Sequence, residues 1–128
     1  MICFGGLFLS SLSIQPLSAN ICVNKTLKPV KHLCGVVVDF QGKPIANATI
    51  SVTRAGSEVS ATKTDSQGEF SFDALGVGQY ELKAEAKYFV KFGFPITIAK
   101  PDDKCTRKVR LKLALGGQDC SEIRLIGR

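Results

Sequence analysis

The stretch that decides the fold is Thr64-Asp65-Ser66-Gln67-Gly68-Glu69-Phe70-Ser71-Phe72, followed by Leu75-Gly76-Val77-Gly78-Gln79-Tyr80-Glu81-Leu82. Asp65 and Gly68, three residues apart, specify a tight turn: the carboxylate accepts backbone N–H groups and the glycine supplies a positive φ. Phe70 and Phe72 leave that turn at period two, on one face of a strand. A second glycine-bounded turn at 76–78 then launches an alternating strand through Tyr80 and Leu82. The pattern builds a fold and holds no chemistry.

Working outward, Leu33-Cys34-Gly35-Val36-Val37-Val38-Asp39-Phe40 is a β-branched strand with Cys34, Val36, Val38 and Phe40 on one face, ending in the turn Gln41-Gly42-Lys43-Pro44. Ala48, Ile50 and Val52 alternate with Thr49, Ser51 and Thr53, and Ala55-Gly56-Ser57 turns the chain into an antiparallel partner over 58–64. Tyr80, Leu82, Ala84 and Ala86 oppose Glu81, Lys83, Glu85 and Lys87 along one strand. A less regular stretch, 88–95, leads to a short strand at Ile96 and Ile98. Val109, Leu111, Leu113 and Leu115 mark another strand, and a last one centres on Ile123 and Leu125. No window carries helical spacing with caps. Seven or eight short strands, with turn signals every 8 to 12 residues or so, predict an all-β, antiparallel sandwich.

Two spaced patterns carry a resemblance. Gly35-x-Val37-x-Asp39-x-x-Gly42-x-Pro44-Ile45-x-x-Ala48-x-Ile50-x-Val52, then Thr64-Asp65-x-x-Gly68-x-Phe70-x-Phe72-x-x-Leu75-x-x-Gly78-x-Tyr80-x-Leu82, resembles the carboxypeptidase regulatory-like domain. The resemblance covers 33–115 and implies a transthyretin-like sandwich of seven strands in two sheets, sometimes grouped with carbohydrate-binding-like folds. Domains of this family are usually appended to peptidases, outer-membrane receptors, adhesins and carbohydrate-active proteins. The resemblance supplies no catalytic residues and implies no cofactor.

Residues 1–19 carry no charged side chain and read as a secretory signal peptide, with the small residues of Pro16-Leu17-Ser18-Ala19 at the cleavage site. The apolar run is too short to span a bilayer, so the mature chain is expected to hold no transmembrane segment. Residues 20–32 form an extension and 116–128 a C-terminal strand and tail. Removing Cys3 with the signal leaves Cys22, Cys34, Cys105 and Cys120, which read as two disulfides in an exported domain. A zinc site is disfavoured because no Cys-x-x-Cys pair exists. A hairpin at Gly116-Gly117 would set Leu113 opposite Cys120 and leave Cys105 about 25 Å further along the strand, too far to bridge to Cys120 unless the hairpin is distorted. The pairing stays open at this level.

A chain of 128 residues with 45% hydrophobic and 22% charged residues is one ordinary globular domain. His32 is its only histidine, so a metallocarboxypeptidase centre with paired His and Glu ligands is excluded. As a general base for a Ser or Cys nucleophile His32 would need an orienting carboxylate, and it reads instead as a surface histidine. Asp65, Gln67, Glu69 and Asp73 lack the ligand pattern of a calcium loop and serve the turn.

Two surfaces remain as candidate binding sites. Tyr88, Phe89, Phe92 and Phe94 form an aromatic cluster suited to stacking on sugars or anchoring a protein. Lys108, Arg110 and Lys112 share the outer face of a strand in a chain of net charge +6, where they could meet anionic glycans or envelope phosphates. The sequence therefore predicts a secreted or periplasmic, non-enzymatic module that binds a protein or glycan at the cell envelope, with no nucleic-acid partner. The alternative is a purely structural accessory domain beside a separate enzyme or transporter.

Overall fold

The structure is a computed structural model that describes residues 27–73, 75–115 and 121–127. Eight strands form: β1 (Cys34–Val38), β2 (Thr49–Arg54), β3 (Ser57–Lys63), β4 (Glu69–Ser71), β5 (Gly78–Glu85), β6 (Phe92–Ile98), β7 (Arg107–Lys112) and β8 (Glu122–Gly127). They make two four-stranded sheets, ordered β4-β1-β7-β8 and β3-β2-β5-β6. Every named pair is antiparallel except β1 with β7, which run parallel in the register Val36↔Arg110 and Val38↔Lys112. The signal segment 1–19, Cys22, the 116–120 connection and Cys120 lie outside the described residues.

Between the sheets lies one core. Ile50, Val52, Leu82, Ile98, Val109, Leu111 and Leu113 are wholly or almost wholly buried, and Phe70, Phe72, Phe92 and Phe94 fill the remaining space. The alternation of β2, β5 and β7 directs these residues inward as their period predicts. In β1 the valine triplet is apolar on both faces, and the structure selects Gly35 and Val37 for the inside. Cys34, Val36 and Val38 therefore line the outer face, and Phe40 is exposed. A side chain at Gly35 would strike the Val109 carbonyl and the Phe70 ring, so the glycine is what lets β4 and β7 close around β1.

β6 is longer than its sequence suggests: it begins at Phe92 rather than near Ile96. Pro95 is tolerated inside it because β6 lies at a sheet edge and pairs on one side with β5. The β7/β8 register, Lys112↔Glu122, is one residue away from the pairing expected of a hairpin with Leu113 opposite Cys120.

Candidate functional site

Asp65 and Gly68 do what their spacing predicts. Asp65 Oδ1 accepts the amides of Gln67 and Glu69, each at 2.9 Å, and the Gly68 amide donates to the Asp65 carbonyl. Gly68 has φ +76 and packs against Val37 and Pro44 of the neighbouring loop. Thr64, also in the opening motif, is buried. Its hydroxyl donates to the Ile45 carbonyl at 2.6 Å and accepts the Ala48 amide at 2.9 Å. Asp65 Oδ1 and the Thr64 hydroxyl are thus both engaged by backbone groups.

The aromatic cluster does not form as a four-ring platform. Phe92 and Phe94 lie on the inward phase of β6, opposite Ala84 and Leu82, and are 2% and 5% exposed. Their rings stack within the core at 6.2 Å. Phe89 is half-buried against the same core. Phe92 and Phe94 share the period-two phase of Ile96 and Ile98, and the expectation that the strand is confined to those isoleucines left the two rings outside it. Tyr88 alone is presented to solvent, 77% exposed, with Lys87 Nζ 5.2 Å from its ring centroid.

Tyr88 also has φ +75, a left-handed conformation that bulky residues rarely adopt. The surrounding turn holds it there: the Phe89 amide donates to Ala86 O, and the Val90 amide donates to Ala114 O from the other side of the sandwich. That turn joins Glu85 to Lys91, two residues that line a groove of about 390 Å³ on the outer face of β2, β5 and β6. Thr49, Ser51, Glu81 and Lys83 complete its polar wall, and Gly93 keeps the floor open where a side chain would press on Glu81. Hydroxyls, carboxylates and ammonium groups thus line a trough, and the turn between two of its walls carries an exposed ring.

Lys108, Arg110 and Lys112 share the outer face of β7, as their alternation predicts, and all three are half-buried. Lys108 Nζ is 3.1 Å from Glu69 Oε2, and Lys112 stands opposite Glu122. Arg110 has Val36 on one side and Arg124 of β8 on the other.

His32 is not a free surface group. Its Nε2 lies 2.8 Å from Ser71 Oγ and its Nδ1 lies 3.0 Å from the Asp102 carbonyl. With Nδ1 protonated the ring donates to that carbonyl and accepts from the Ser71 hydroxyl. The ring edges a cleft of about 400 Å³ floored by Leu33, Phe72, Leu75 and Ile98. The Asp102 carboxylate titrates below its ordinary range. Desolvation pushes it up, but hydrogen bonds from the backbone of Asp103 and Lys104 and from the Asp103 side chain, with the Lys104 charge, together prevail. Two residues beyond His32, Cys34 is bridged to Cys105, their Cα atoms 6.0 Å apart. Among the described residues no three His, Cys, Asp or Glu side chains are grouped as metal ligands.

The sequence model of the carboxypeptidase regulatory-like domain matches residues 32–112. The chain belongs to that family. No curated protein sequence matches it. Among solved structures, the 5-hydroxyisourate hydrolase of Klebsiella pneumoniae is similar at a TM-score of 0.57 and 21% identity, over 74% of this chain and 98% of the hydrolase. At that identity the likeness establishes the transthyretin-like sandwich and nothing of its chemistry. The 3-chlorocatechol 1,2-dioxygenase of Rhodococcus opacus 1CP aligns at a TM-score of 0.41 and 12% identity, over 91% of this chain and 73% of the dioxygenase.

For this carboxypeptidase regulatory-like domain, sequence reasoning missed three residues. Arg124 comes to the basic face only through the β7/β8 register. Gly93 opens the groove, and its signal was a glycine between two inward phenylalanines, the mark of a close approach on the opposite face. Ser71 meets His32 across 39 residues of chain, a pairing with no local signature.

Proposed function

We propose that this domain is an exported, non-enzymatic binding module that recognises a glycan at the cell envelope through Tyr88 and the groove on the β2/β5/β6 sheet. The observation that carries the reading is Tyr88 itself: a large ring held outward in a backbone conformation that favours glycine, in the turn between two groove-lining residues. Strain of this kind persists where the surrounding structure enforces it, and it clusters at binding sites. An exposed ring offers a face for the C–H surface of a sugar, while Ser51, Thr49, Glu81 and Glu85 supply partners for its hydroxyls. The Cys34–Cys105 bridge supports export, since disulfides persist in oxidising compartments. No helix among the described residues is long and apolar enough to cross a membrane.

The His32–Ser71 contact has the spacing of a base and nucleophile, but a backbone carbonyl stands where a triad has a carboxylate. We read it as a tie between β4 and the 101–105 loop. A glycan array probed with the mature chain and its Tyr88→Ala variant tests the reading. A glycan retained by the first and lost by the second supports it. No retained glycan, together with co-purification of a single envelope protein, would replace it with a structural accessory role.

A further inference from the structure

Val30 is tied to the free edge of β6 by two backbone hydrogen bonds. Its amide donates to the Thr97 carbonyl at 2.9 Å and its carbonyl accepts the Ala99 amide at 3.0 Å, which makes a parallel bridge between Val30 and Ile98. The parallel sense sets the direction of the chain before it: going N-terminally from Val30 leads back along β6 toward Phe92. Leu27, three residues earlier, is half-buried against the core, so the extension is still seated on the sandwich where the described residues begin. Thr97 and Pro95 turn to the same edge of β6, and Pro95 has no N–H to donate, so an unbroken ladder cannot hold this extension.

The end of β6 toward which the extension heads is joined to the start of β8. The Val90 amide donates to the Ala114 carbonyl at 2.9 Å, and the Ala114 amide donates to the Ser121 hydroxyl at 3.0 Å. Ser121 is wholly buried and directly follows Cys120. Cys22 precedes Val30 by the same eight residues that separate Val90 from Ile98, about 26 Å of extended chain, so it reaches the corner where Cys120 enters. Cys34 and Cys105, at the opposite end of β1 and β7, are already bridged to each other.

We infer that residues 22–26 run along the β6 edge and are locked at its Phe92 end by a second disulfide, Cys22–Cys120. Forming it joins the two sulfurs with loss of both S–H bonds. Two protons and two electrons pass to a disulfide oxidant of the oxidising compartment, which is reduced to a dithiol. The extension is then fixed at both ends of β6, by backbone bonds at Ile98 and covalently beside Val90. It covers an edge that would otherwise be open to pairing with a foreign strand. The inference does not depend on the glycan reading.

The test uses the chain exported from the full sequence, its free thiols alkylated at acid pH before digestion without reductant. Trypsin leaves Cys22, Cys34, Cys105 and Cys120 on separate peptides, so mass spectrometry should find Cys22 joined to Cys120 and Cys34 to Cys105 within one monomer. Cys22→Ser and Cys120→Ser should each release one alkylatable thiol per chain and lower the melting temperature as far as Cys22→Ser/Cys120→Ser does. Cys22→Ser/Thr26→Cys places its cysteine four residues, about 13 Å, short of the corner and should leave Cys120 free. The Cys34–Cys105 pair, still formed, reports that this variant folds. The inference is overturned if Cys120 of the parent is free, or joined to Cys3 or to a second chain. Bridging to Cys120 in Cys22→Ser/Thr26→Cys as complete as in the parent would also sink it.

Discussion

Asp39 and Asp65 hold their loops with the same set of hydrogen bonds. Each Oδ1 accepts the amides two and four residues ahead, Gln41 and Lys43 in one loop and Gln67 and Glu69 in the other, at 2.8 to 2.9 Å. In each, the glycine three residues on donates to the aspartate carbonyl and has a positive φ, +86 at Gly42 and +76 at Gly68. The two loops are copies of one device, and they abut: Gly68 lies against Pro44 of the Asp39 loop, and its carbonyl accepts the amide of Val37 in β1. Replacing either aspartate with Ala should cost about 1–2 kcal/mol, because two backbone donors lose a charged acceptor. Asn should cost less at both positions, since it keeps one acceptor oxygen. Urea unfolding of the four single variants measures this, and unequal losses at the two sites would contradict the equivalence.

Gly68 and Gly56 share a left-handed backbone but differ in their surroundings. A side chain at Gly68 would meet the Val37 carbonyl at 2.6 Å and Pro44 at 3.0 Å, whereas nothing lies within 4 Å at Gly56. Gly56→Ala should therefore cost only the conformational strain, about 1 kcal/mol. Gly68→Ala adds displaced backbone and should cost about 3 kcal/mol. Thermal melts of the pair should separate by several degrees.

Cys34 and Cys105 close a loop of 71 residues in sequence separation. Chain-entropy arguments give such a bridge about 4 kcal/mol. Cys34→Ala/Cys105→Ala should lower stability by that order, with single variants no better. Mass mapping of the untreated chain should recover the Cys34–Cys105 peptide pair.

Tyr88 and Phe92 should respond in opposite directions. Phe92→Ala empties a buried site and should cost about 3–5 kcal/mol. Tyr88→Gly relieves the φ +75 strain and should raise stability by up to about 1 kcal/mol, after the entropy of glycine is allowed for, while abolishing glycan retention. A stability gain accompanied by unchanged binding would remove Tyr88 from the site.

His32 joins Ser71 to the Asp102 carbonyl, so His32→Ala should cost about 1–2 kcal/mol. Activated esters should show no hydrolysis that depends on Ser71. A serine-directed phosphonylating reagent that labels Ser71 in the parent and not in His32→Ala would reverse the non-enzymatic reading.

Most of the sandwich was legible in the chain, because strand alternation and turn chemistry are local. Ala48-Ile50-Val52 and Tyr80-Leu82-Ala84 point inward as their period requires. The site was less so. Val36-Val37-Val38 is apolar in either phase, and only the approach of Val109 and Phe70 to Gly35 selects the face. Phe92 and Phe94 sit at period two in a segment whose strand character depends on pairing with β5, and that pairing turned a presumed surface into core.

Local sequence alone specified the Asp65–Gly68 turn, the all-β sandwich, the family and the basic face of β7, since alternation and turn spacing are written in neighbouring residues, whereas the matching role of Asp39 emerged only in the fold. Tertiary structure decided which cysteine meets Cys34, which ring of the aromatic run remains outside, and that Arg124 arrives opposite Arg110. Those outcomes depend on the register and order of strands far apart in the chain, where hydrogen bonding across a sheet fixes neighbours that no local pattern records.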